Sequence, residues 1–247
     1  MNTGKLLLIA LVCATVFVPI SASASWFAEA ESGVVFSGYN DVRVSGRSGT
    51  RFSLSEDLRT DPSYFFRLRV GVTIARRHTI SALVAPLRLQ AHGKVGRDIR
   101  FNGVEFPADT RLRATYRFDS YRLTYRYDFY LSDQIEIGAG LTVKVRDAAI
   151  GVDGQKFTEK TNTGVVPLIN FRFDWRFVPR WDLLLEGDAL AAPQGRAEDV
   201  LLAFQVRFND FVSGRFGYRV LEGGTGGREV YNFTLIHYGV VGIVAHF

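Results

Sequence analysis

Few residues in this chain could carry out chemistry, and they are widely spaced. His92, Asp147, Asp188, Glu222 and His237 are the candidates for hydrolysis, because a histidine beside a carboxylate can activate water and a histidine beside a serine can generate a nucleophile. None of them lies in a recognisable catalytic signature, and no serine flanks either histidine. His92, Asp188 and Glu222 are therefore weak catalytic candidates, and hydrogen bonding explains His92 better than catalysis does.

Cofactor and metal chemistry have less support still. The only cysteine is Cys13, near the N-terminus, so a thiolate metal site or a disulfide is not expected in the rest of the chain. Asp147, Asp153 and Glu159 lack the spacing of a calcium loop. The glycines at 223–227 follow a predicted strand but open no helix, so they do not form a phosphate-binding loop. We predict no cofactor and no metal.

The first residues have the pattern of a secretory signal. Lys5 provides the positive charge, Leu6–Val18 an apolar run, and Ala22–Ala24 a small-residue cleavage site. The apolar run is shorter than the roughly 20 residues of a spanning helix. We predict residues 1–24 as a cleaved signal peptide, with a retained anchor helix as the alternative.

The composition is unusual for a soluble domain. The chain has 20 Phe, 10 Tyr, 24 Gly and 30 Lys plus Arg, yet its mean hydropathy is +0.05 and its pI about 9.4. A helical membrane protein would need long apolar runs, which are missing after the signal. Because an exported protein does not normally meet nucleic acid, we expect the basic residues to line a wet interior or to face anionic lipid.

Apolar and polar residues alternate one by one over long segments. Phe66, Leu68 and Val70, for example, alternate with Arg67 and Arg69. On a strand such residues point to opposite faces, which is the pattern of a membrane β-barrel. We predict an all-β, closed antiparallel up-and-down transmembrane barrel at 34–247, after an N-terminal periplasmic segment at 25–33. The alternative fold is a soluble β-sandwich or lipocalin that buries the same faces.

Counting these segments predicts ten strands, with both termini in the periplasm. Eight or twelve would follow if a hairpin such as Ile99–Phe106 were misassigned. The predicted strands are Val34–Val44, Tyr64–Ala75, Ile80–His92, Arg111–Leu131, Ile135–Ile150, Val165–Phe177, Trp181–Leu190, Val200–Phe208, Val212–Glu222 and Tyr231–Phe247.

The predicted connections alternate between short turns and long polar loops, and short turns are periplasmic in such barrels. The short ones lie near 76–79, 132–134, 178–180 and 209–211. The long ones cover 46–63, 93–109, 151–164, 193–198 and 223–229.

Two irregularities stand out in the predicted strands. In Arg111–Leu131 the apolar row changes phase near Asp119–Ser120, which predicts a β-bulge. This strand is also about twice the spanning length, so its first half should rise above the outer leaflet. Pro86 removes a ladder donor and predicts a second local break.

The polar face of the strands is rich in charge, which predicts a lumen filled by Arg–Asp/Glu networks rather than an open pore. The excess of arginine would bias any residual path toward anions. The predicted inward set is Asp41, Arg43, Arg67, Arg69, Arg88, Arg122, Arg126, Asp128, Glu136, Lys144, Arg172, Asp174, Arg176, Glu186, Asp188, Arg207, Arg215 and Arg219.

Aromatic residues gather near the predicted short turns, where an aromatic girdle at the lipid headgroups is expected. Examples are Tyr127, Phe129, Trp175, Trp181 and Phe208.

The mature chain resembles the small bacterial outer-membrane β-barrel proteins, such as the OmpA-like and OmpW-like porin-type barrels. The last hairpin, 218–224 followed by Val230–Phe233, and the terminal Phe247 carry the resemblance. It implies the outer membrane of a Gram-negative bacterium, contact with lipid and lipopolysaccharide, and recognition of the last strand, through Phe247, by the barrel-assembly machinery. It transfers no catalytic residue.

Two functional hypotheses follow. The first is an integral outer-membrane barrel with a structural, surface-interaction or narrow-channel role. The alternative is an outer-leaflet hydrolase, similar to a lipid A deacylase or to a protease of the barrel rim, that would use His92 and Asp188. Neither hypothesis names a ligand, and neither involves nucleic acid.

The export signal makes a direct prediction. Protein purified from the membrane fraction of an expressing Gram-negative host should begin at Ser25, because the signal peptidase cleaves after the small residue Ala24. Intact-mass and N-terminal sequencing measurements check this. A mature protein that still carries Lys5 would contradict the signal-peptide assignment.

Overall fold

The computed structural model describes residues 24–192 and 195–247, so the predicted signal peptide lies outside the described residues except for Ala24. The described chain is almost entirely β-structure. Its strands are β1 Ala24–Val44, β2 Phe52–Ser53, β3 Arg59–Thr60, β4 Ser63–Ile74, β5 His78–Ala85, β6 Arg88–Lys94, β7 Ile99–Phe101, β8 Val104–Phe106, β9 Arg111–Leu131, β10 Ile135–Asp153, β11 Phe157–Val178, β12 Trp181–Ala192, β13 Gly195–Arg207, β14 Val212–Gly226 and β15 Val230–His246.

The long strands form a closed antiparallel barrel of 10 strands, which confirms the predicted fold and count. Each strand pairs with its neighbours in the chain, and β1 closes the ring by pairing with both β15 and β4. β5 and β6 pair in succession with β9 and act as one strand interrupted at Pro86. The predicted break at Pro86 is therefore present, because proline cannot donate to the ladder.

The first strand is longer than predicted. It begins at Ala24, and Phe27 to Gly33 pair with β15 on one side and with β4 on the other. The segment 25–33, predicted as a separate N-terminal segment, is thus part of the barrel wall. The sequence signal is weak here because, after Trp26, the outward row continues only with the small residues Ala28, Ala30 and Ser32.

The two ends of the barrel differ, and we call them the turn end and the loop end. The turn end carries the short connections between β4 and β5, β9 and β10, β11 and β12, and β13 and β14. At the loop end, the predicted long loops at 151–164, 193–198 and 223–229 are largely strand. β10 and β11 pair as far as Asp153 and Phe157, and β14 and β15 pair as far as Gly226 and Tyr231.

An apolar band covers the outside of the turn-end half of the barrel. A water-soluble fold would bury such residues, so their outward position contradicts the soluble alternative and fits a wall surrounded by lipid. Exposed members of the band are Trp26, Val34, Phe36, Phe66, Leu68, Val70, Ile80, Val84, Leu123, Tyr125, Leu141, Val143, Val145, Val165, Ile169, Leu202, Phe204, Phe216, Tyr218, Val241 and Ile243.

Aromatic residues lie at the turn-end margin of this band. Phe129, Tyr130, Trp175, Phe208 and Phe211 are all exposed there. Their rings stand where the lipid headgroups would meet the wall, as expected for an aromatic girdle.

The predicted bulge at Asp119–Ser120 is wrong. The register of β9 with β10 is continuous there, from Asp147 opposite Asp119 to Arg146 opposite Ser120. The apolar row moves to the other face because the strand leaves the lipid. In the turn-end half the odd residues, such as Leu123, face lipid, whereas in the loop-end half the even residues, such as Leu112, are buried inside.

The loop-end half encloses an apolar plug. The segment between β1 and β4 contributes Phe52, Leu54 and Leu58, and the small hairpin β7–β8 contributes Ile99, Phe101 and Phe106, all of them buried. Phe52 and Phe101 pack edge to face with ring centroids 6.1 Å apart. The hairpin at 99–106 therefore exists, but it folds into the mouth of the barrel and adds no strand to the wall.

Polar contacts fix the segment between β1 and β4. Arg97 donates two hydrogen bonds to the Asp57 carboxylate, at 3.0 and 2.8 Å, and the Ser53 backbone N–H donates a third at 2.8 Å. Burial raises the pKa of the Asp57 carboxyl, but these hydrogen bonds outweigh it, so the pKa lies below the usual aspartate value. The carboxylate stays ionised at neutral pH and links the two parts of the plug.

Among the described residues, no helix has the length and apolarity needed to cross a membrane.

The lipid-facing assignment predicts a contrast between two arginine substitutions. Leu141→Arg, in the middle of the apolar band, should cost about 2–4 kcal/mol of folding free energy. Thr161→Arg, on the exposed loop-end part of β11, should cost less than about 0.5 kcal/mol. Urea unfolding in lipid vesicles measures both. Equal costs would mean that the apolar band does not contact lipid.

Candidate functional site: the charged lumen

The interior of the turn-end half is lined by charged side chains from nearly every strand. Strand alternation places them there, since every second residue of a barrel strand points inward. The inward cations are Arg67, Arg69, Arg122, Arg126, Lys144, Arg146, Arg172, Arg176, Arg207, Arg215 and Arg219. The inward carboxylates are Glu29, Glu31, Asp128, Glu136, Asp174, Asp182, Glu186, Asp188 and Asp199.

Asp199 on β13 is the centre of the deepest cluster. Its carboxylate lies 2.7 Å from Arg219 and 3.1 Å from Arg67, and it also accepts a hydrogen bond from Arg122. Arg219 reaches across to Glu31 at 2.8 Å. Five strands are thus tied together by one buried group of charges, in which each carboxylate faces more than one guanidinium.

A second cluster surrounds Glu186 on β12. Arg69 lies 2.9 Å from its carboxylate and Arg172 lies 3.0 Å away. Glu29 on β1 joins this cluster through Arg69 at 3.2 Å and Arg215 at 3.4 Å. The contacts cross the lumen and join strands that are not neighbours in the wall.

Further ion pairs lie closer to the turn end. Arg126 pairs with Asp128 at 2.7 Å, and Arg172 pairs with Asp174 at 2.7 Å. Arg207 bonds to the Asp182 carboxylate. These pairs fill the section of the barrel that lies nearest to the short turns.

The physical reason for this dense pairing is the cost of burying charge. A lone buried ion loses several kcal/mol of hydration, whereas charge-assisted and bidentate hydrogen bonds recover much of that loss. Arginine suits the role because its planar guanidinium offers five donors in fixed directions. The lumen can be densely packed only because nearly every charge has a partner of opposite sign.

The structure places most of the predicted inward set inside the barrel and brings it together in these clusters. Asp41, Arg43 and Arg88 are exceptions and lie on the outer face. A register shift between Ser37 and Tyr39 turns Asp41 and Arg43 outward. Arg88 lies outside because Leu87 and Leu89 take the inward positions of β6.

The predicted inward set lacks four carboxylates that lie inside the barrel: Glu29, Glu31, Asp182 and Asp199. Glu29 and Glu31 fell in the segment predicted to precede the barrel, and Asp199 lay one residue before a predicted strand. Extending the alternation back from Val35 to Glu31 and Glu29 would have found two of them.

The catalytic candidates are not brought together. His92 is exposed on the outer face, where its Nδ1 lies 3.2 Å from Asp61. Asp188 is buried in the lumen and accepts a hydrogen bond from Arg122 at 2.7 Å. Glu222 lies on the outer wall, bonded to Tyr39 and Arg196. These three side chains therefore serve three separate polar contacts.

The two other hydrolytic candidates also lie apart. Asp147 pairs with Arg117 at 2.7 Å on the outer wall. His237 faces outward, stacked on Phe36 with ring centroids 5.2 Å apart and hydrogen-bonded to Tyr218. Its outward position follows from the alternation of β15, in which the neighbouring residues Ile236 and Tyr238 are buried inside. The described residues hold no group of His, Cys, Asp and Glu suited to a metal ion.

The geometry of Asp199 predicts a large effect of neutralising it. Asp199→Asn would leave Arg67, Arg122 and Arg219 short of compensating charge, so the barrel should lose about 3–5 kcal/mol of stability. Glu105→Gln breaks an exposed 3.5 Å contact with Arg100 and should cost less than about 1 kcal/mol. Urea titration of the folded form measures both. A small effect of Asp199→Asn would show that the charge cluster is not stabilised as described.

Comparison with known proteins gives no match to a family model and none to a curated sequence. Solved structures do match. The outer membrane protease OmpT from Escherichia coli superposes with a TM-score of 0.56 at 9% identity, covering 95% of this chain and 100% of that chain. The protein also matches neisserial surface protein A, with a TM-score of 0.41, 13% identity and coverage of 91% and 99%. OprG from Pseudomonas aeruginosa gives 0.41, 9% identity and coverage of 92% and 97%.

At these identities the likeness concerns the fold alone. The protein is an integral membrane β-barrel of 10 strands with the architecture of the small bacterial outer-membrane barrels.

Proposed function

We propose that this protein is a closed outer-membrane barrel with a structural and surface-interaction role rather than a narrow channel. The observation that carries the proposal is that two successive layers of side chains fill the lumen. Ion clusters occupy the turn-end half, and the apolar plug occupies the loop-end half. An ion crossing the barrel would have to separate paired charges and then enter an apolar layer.

Each layer supports the proposal in a different way. Arg219, Arg215 and Arg122 are nearly inaccessible to solvent, with 1–2% of each side chain exposed. Phe101 and Phe106, in the plug, are 0% and 1% exposed. Hydrophobic constrictions oppose ion passage because they exclude water. Both layers would have to rearrange before a continuous water path could form.

The proposal includes an orientation. Short turns are periplasmic in bacterial barrels, so the turn end and both termini face the periplasm, and the loop end faces outward. The loop-end half of the wall carries Arg88, Arg113 and Arg117 on its outer face, where water and lipopolysaccharide would surround it. Phe247 directly follows the last strand at the periplasmic side, where the assembly machinery would recognise it.

The hydrolase hypothesis gains no support from the geometry. His92 and Glu222 lie on separate parts of the outer wall, and Asp188 lies in the lumen. Water activation needs an acid and a base within hydrogen-bond reach of one substrate position. Among the described residues, these three candidates offer no such position.

Planar-bilayer recording tests the closed-barrel proposal. The purified, refolded protein should produce no steady unitary conductance under conditions in which an open porin, added as the positive control, conducts. A double variant that weakens both layers, Phe101→Ser with Arg122→Ser, should show flickering openings because water can then enter both halves.

A steady conductance of the unmodified protein would overturn the proposal and favour the narrow-channel role. Retention of the heat-modifiable gel shift confirms that each tested sample is folded. A sample that shows no conductance and has also lost this gel shift has lost its fold, and such a sample does not support the closed barrel.

A further inference from the structure

A group of exposed cations lies on the outer face of the loop-end half, on one side of the barrel. Arg59 of β3 lies directly opposite His92 of β6, and His92 lies opposite Arg113 of β9. Two residues further along β6, Lys94 lies opposite Arg111 of β9. All five side chains are exposed. We call Arg59, Lys94, Arg111 and Arg113 the basic sector.

The four cations of the basic sector have no partner of opposite charge. Within the described chain, none of them forms an ion pair or a side-chain hydrogen bond. Asp61 contacts His92 at 3.2 Å, and Asp153 lies opposite Arg113 in the sheet without approaching it closely enough for an ion pair. Like charges at opposite positions of neighbouring strands repel each other. The sheet itself therefore gains nothing from this arrangement.

The next row toward the membrane shows how the chain neutralises such a pair by itself. Arg88 of β6 lies opposite Arg117 of β9, but each of them has a carboxylate. Arg88 bonds to Asp119 at 2.8 Å, and Arg117 bonds to Asp147 at 2.7 Å. Because the described residues supply no such carboxylates to the basic sector, its arrangement favours an anion from outside the protein.

The height of the basic sector restricts the source of this anion. Val145, the last member of the apolar band on β10, lies opposite Tyr121 of β9. With a rise of about 3.4 Å per residue and a strand tilt of about 40°, Arg117 and Arg113 of the same strand lie roughly 10 and 20 Å above that margin. The phosphorylated sugars of lipopolysaccharide occupy this zone beside the wall.

Another part of the loop-end wall carries the opposite sign. Strands β11, β13 and β14 place Glu159, Glu198 and Glu222 on the outer face, and Glu198 lies directly opposite Glu222. Arg196 bonds to Glu222, which leaves Glu159 and Glu198 without a cation in the described chain. A polyanion would be repelled from this side, so its binding would be confined to one side of the barrel.

We infer that the basic sector binds the phosphate groups of a lipopolysaccharide molecule, whose acyl chains lie along the apolar band of β5 and β9 below it. Arginine suits phosphate because its guanidinium group donates two parallel hydrogen bonds. The inference deepens the proposed surface-interaction role and rests on the proposed orientation, in which the loop end faces outward. It names one side of the wall as a lipid site, whereas general lipid contact would extend around the whole barrel.

Native mass spectrometry of the refolded protein in detergent tests the inference, with diphosphorylated lipid A that carries its inner-core sugars as the probe. The triple variant Arg59→Gln, Arg111→Gln and Arg113→Gln should bind this lipid at least about tenfold more weakly, because each cation near an anionic headgroup contributes to the attraction. The unmodified protein should also bind the enzymatically dephosphorylated lipid more weakly than the phosphorylated one.

A matched control removes the same amount of charge elsewhere. The triple variant Arg47→Gln, Lys156→Gln and Arg228→Gln changes three exposed cations outside the basic sector, and its affinity for the lipid should be unchanged. None of the six side chains has a partner within the described chain, so both variants should fold, which the heat-modifiable gel shift verifies.

Three binding results would overturn the inference. They are equal affinities of the two triple variants, equal binding of the phosphorylated and dephosphorylated lipids, and tighter binding of a soluble sulfated polysaccharide than of the lipid. The last result would identify a glycan from outside the membrane as the ligand.

An error in the orientation can be recognised separately. The chain has no cysteine after residue 13, so Lys156→Cys introduces a single thiol at the loop end. In intact cells this thiol should react with a membrane-impermeant maleimide. If only broken cells are labelled, the orientation is wrong and the inference fails with it, whereas the closed barrel, which bilayer recording tests, is unaffected.

Discussion

Every strand in this molecule depends on the requirement that backbone N–H and C=O groups in lipid find partners within the protein. A sheet can meet that requirement only by closing on itself. Here β1 closes the ring, pairing with β15 on one edge and with β4 on the other. Closure then dictates the rest, because it divides the side chains into a row that faces lipid and a row that faces a narrow interior.

The solvent on each side changes along the barrel, and the sequence changes with it. Where lipid surrounds the wall, the apolar residues lie outside and the charges inside. Where the wall rises beyond the lipid, the arrangement is reversed: Leu112, Ala114 and Tyr116 are buried inside, while Arg113 and Arg117 lie outside. One uninterrupted strand, β9, shows both arrangements without any change in its register.

This reversal explains which parts of the fold could be predicted from the sequence. The alternation of apolar and polar residues was sufficient to predict the barrel, the number of strands and most of the charged residues that face inward. Alternation was not sufficient to explain the phase change in β9. A β-bulge and a change of solvent along the strand produce the same pattern of apolar and polar residues. The extent of β1 was missed since Ala28 and Ala30 are barely apolar, and with it Glu29 and Glu31. The partners within the lumen could not be predicted at all, because contacts across a barrel depend on the tilt and stagger of strands far apart in the chain.

The contacts of the first strand have a consequence for folding. Glu31 bonds to Arg219, which lies 188 residues later in the chain, and such distant contacts form slowly because a large loop must close first. Until the last strands arrive, the glutamates of β1 can pair only with Arg67 and Arg69 of β4, and they lack the contacts with Arg215 and Arg219 that complete their burial in the dry interior. The first strand therefore completes its ion pairs only when the last strands are in place. Charge pairing and closure of the ring are thus finished in the same step.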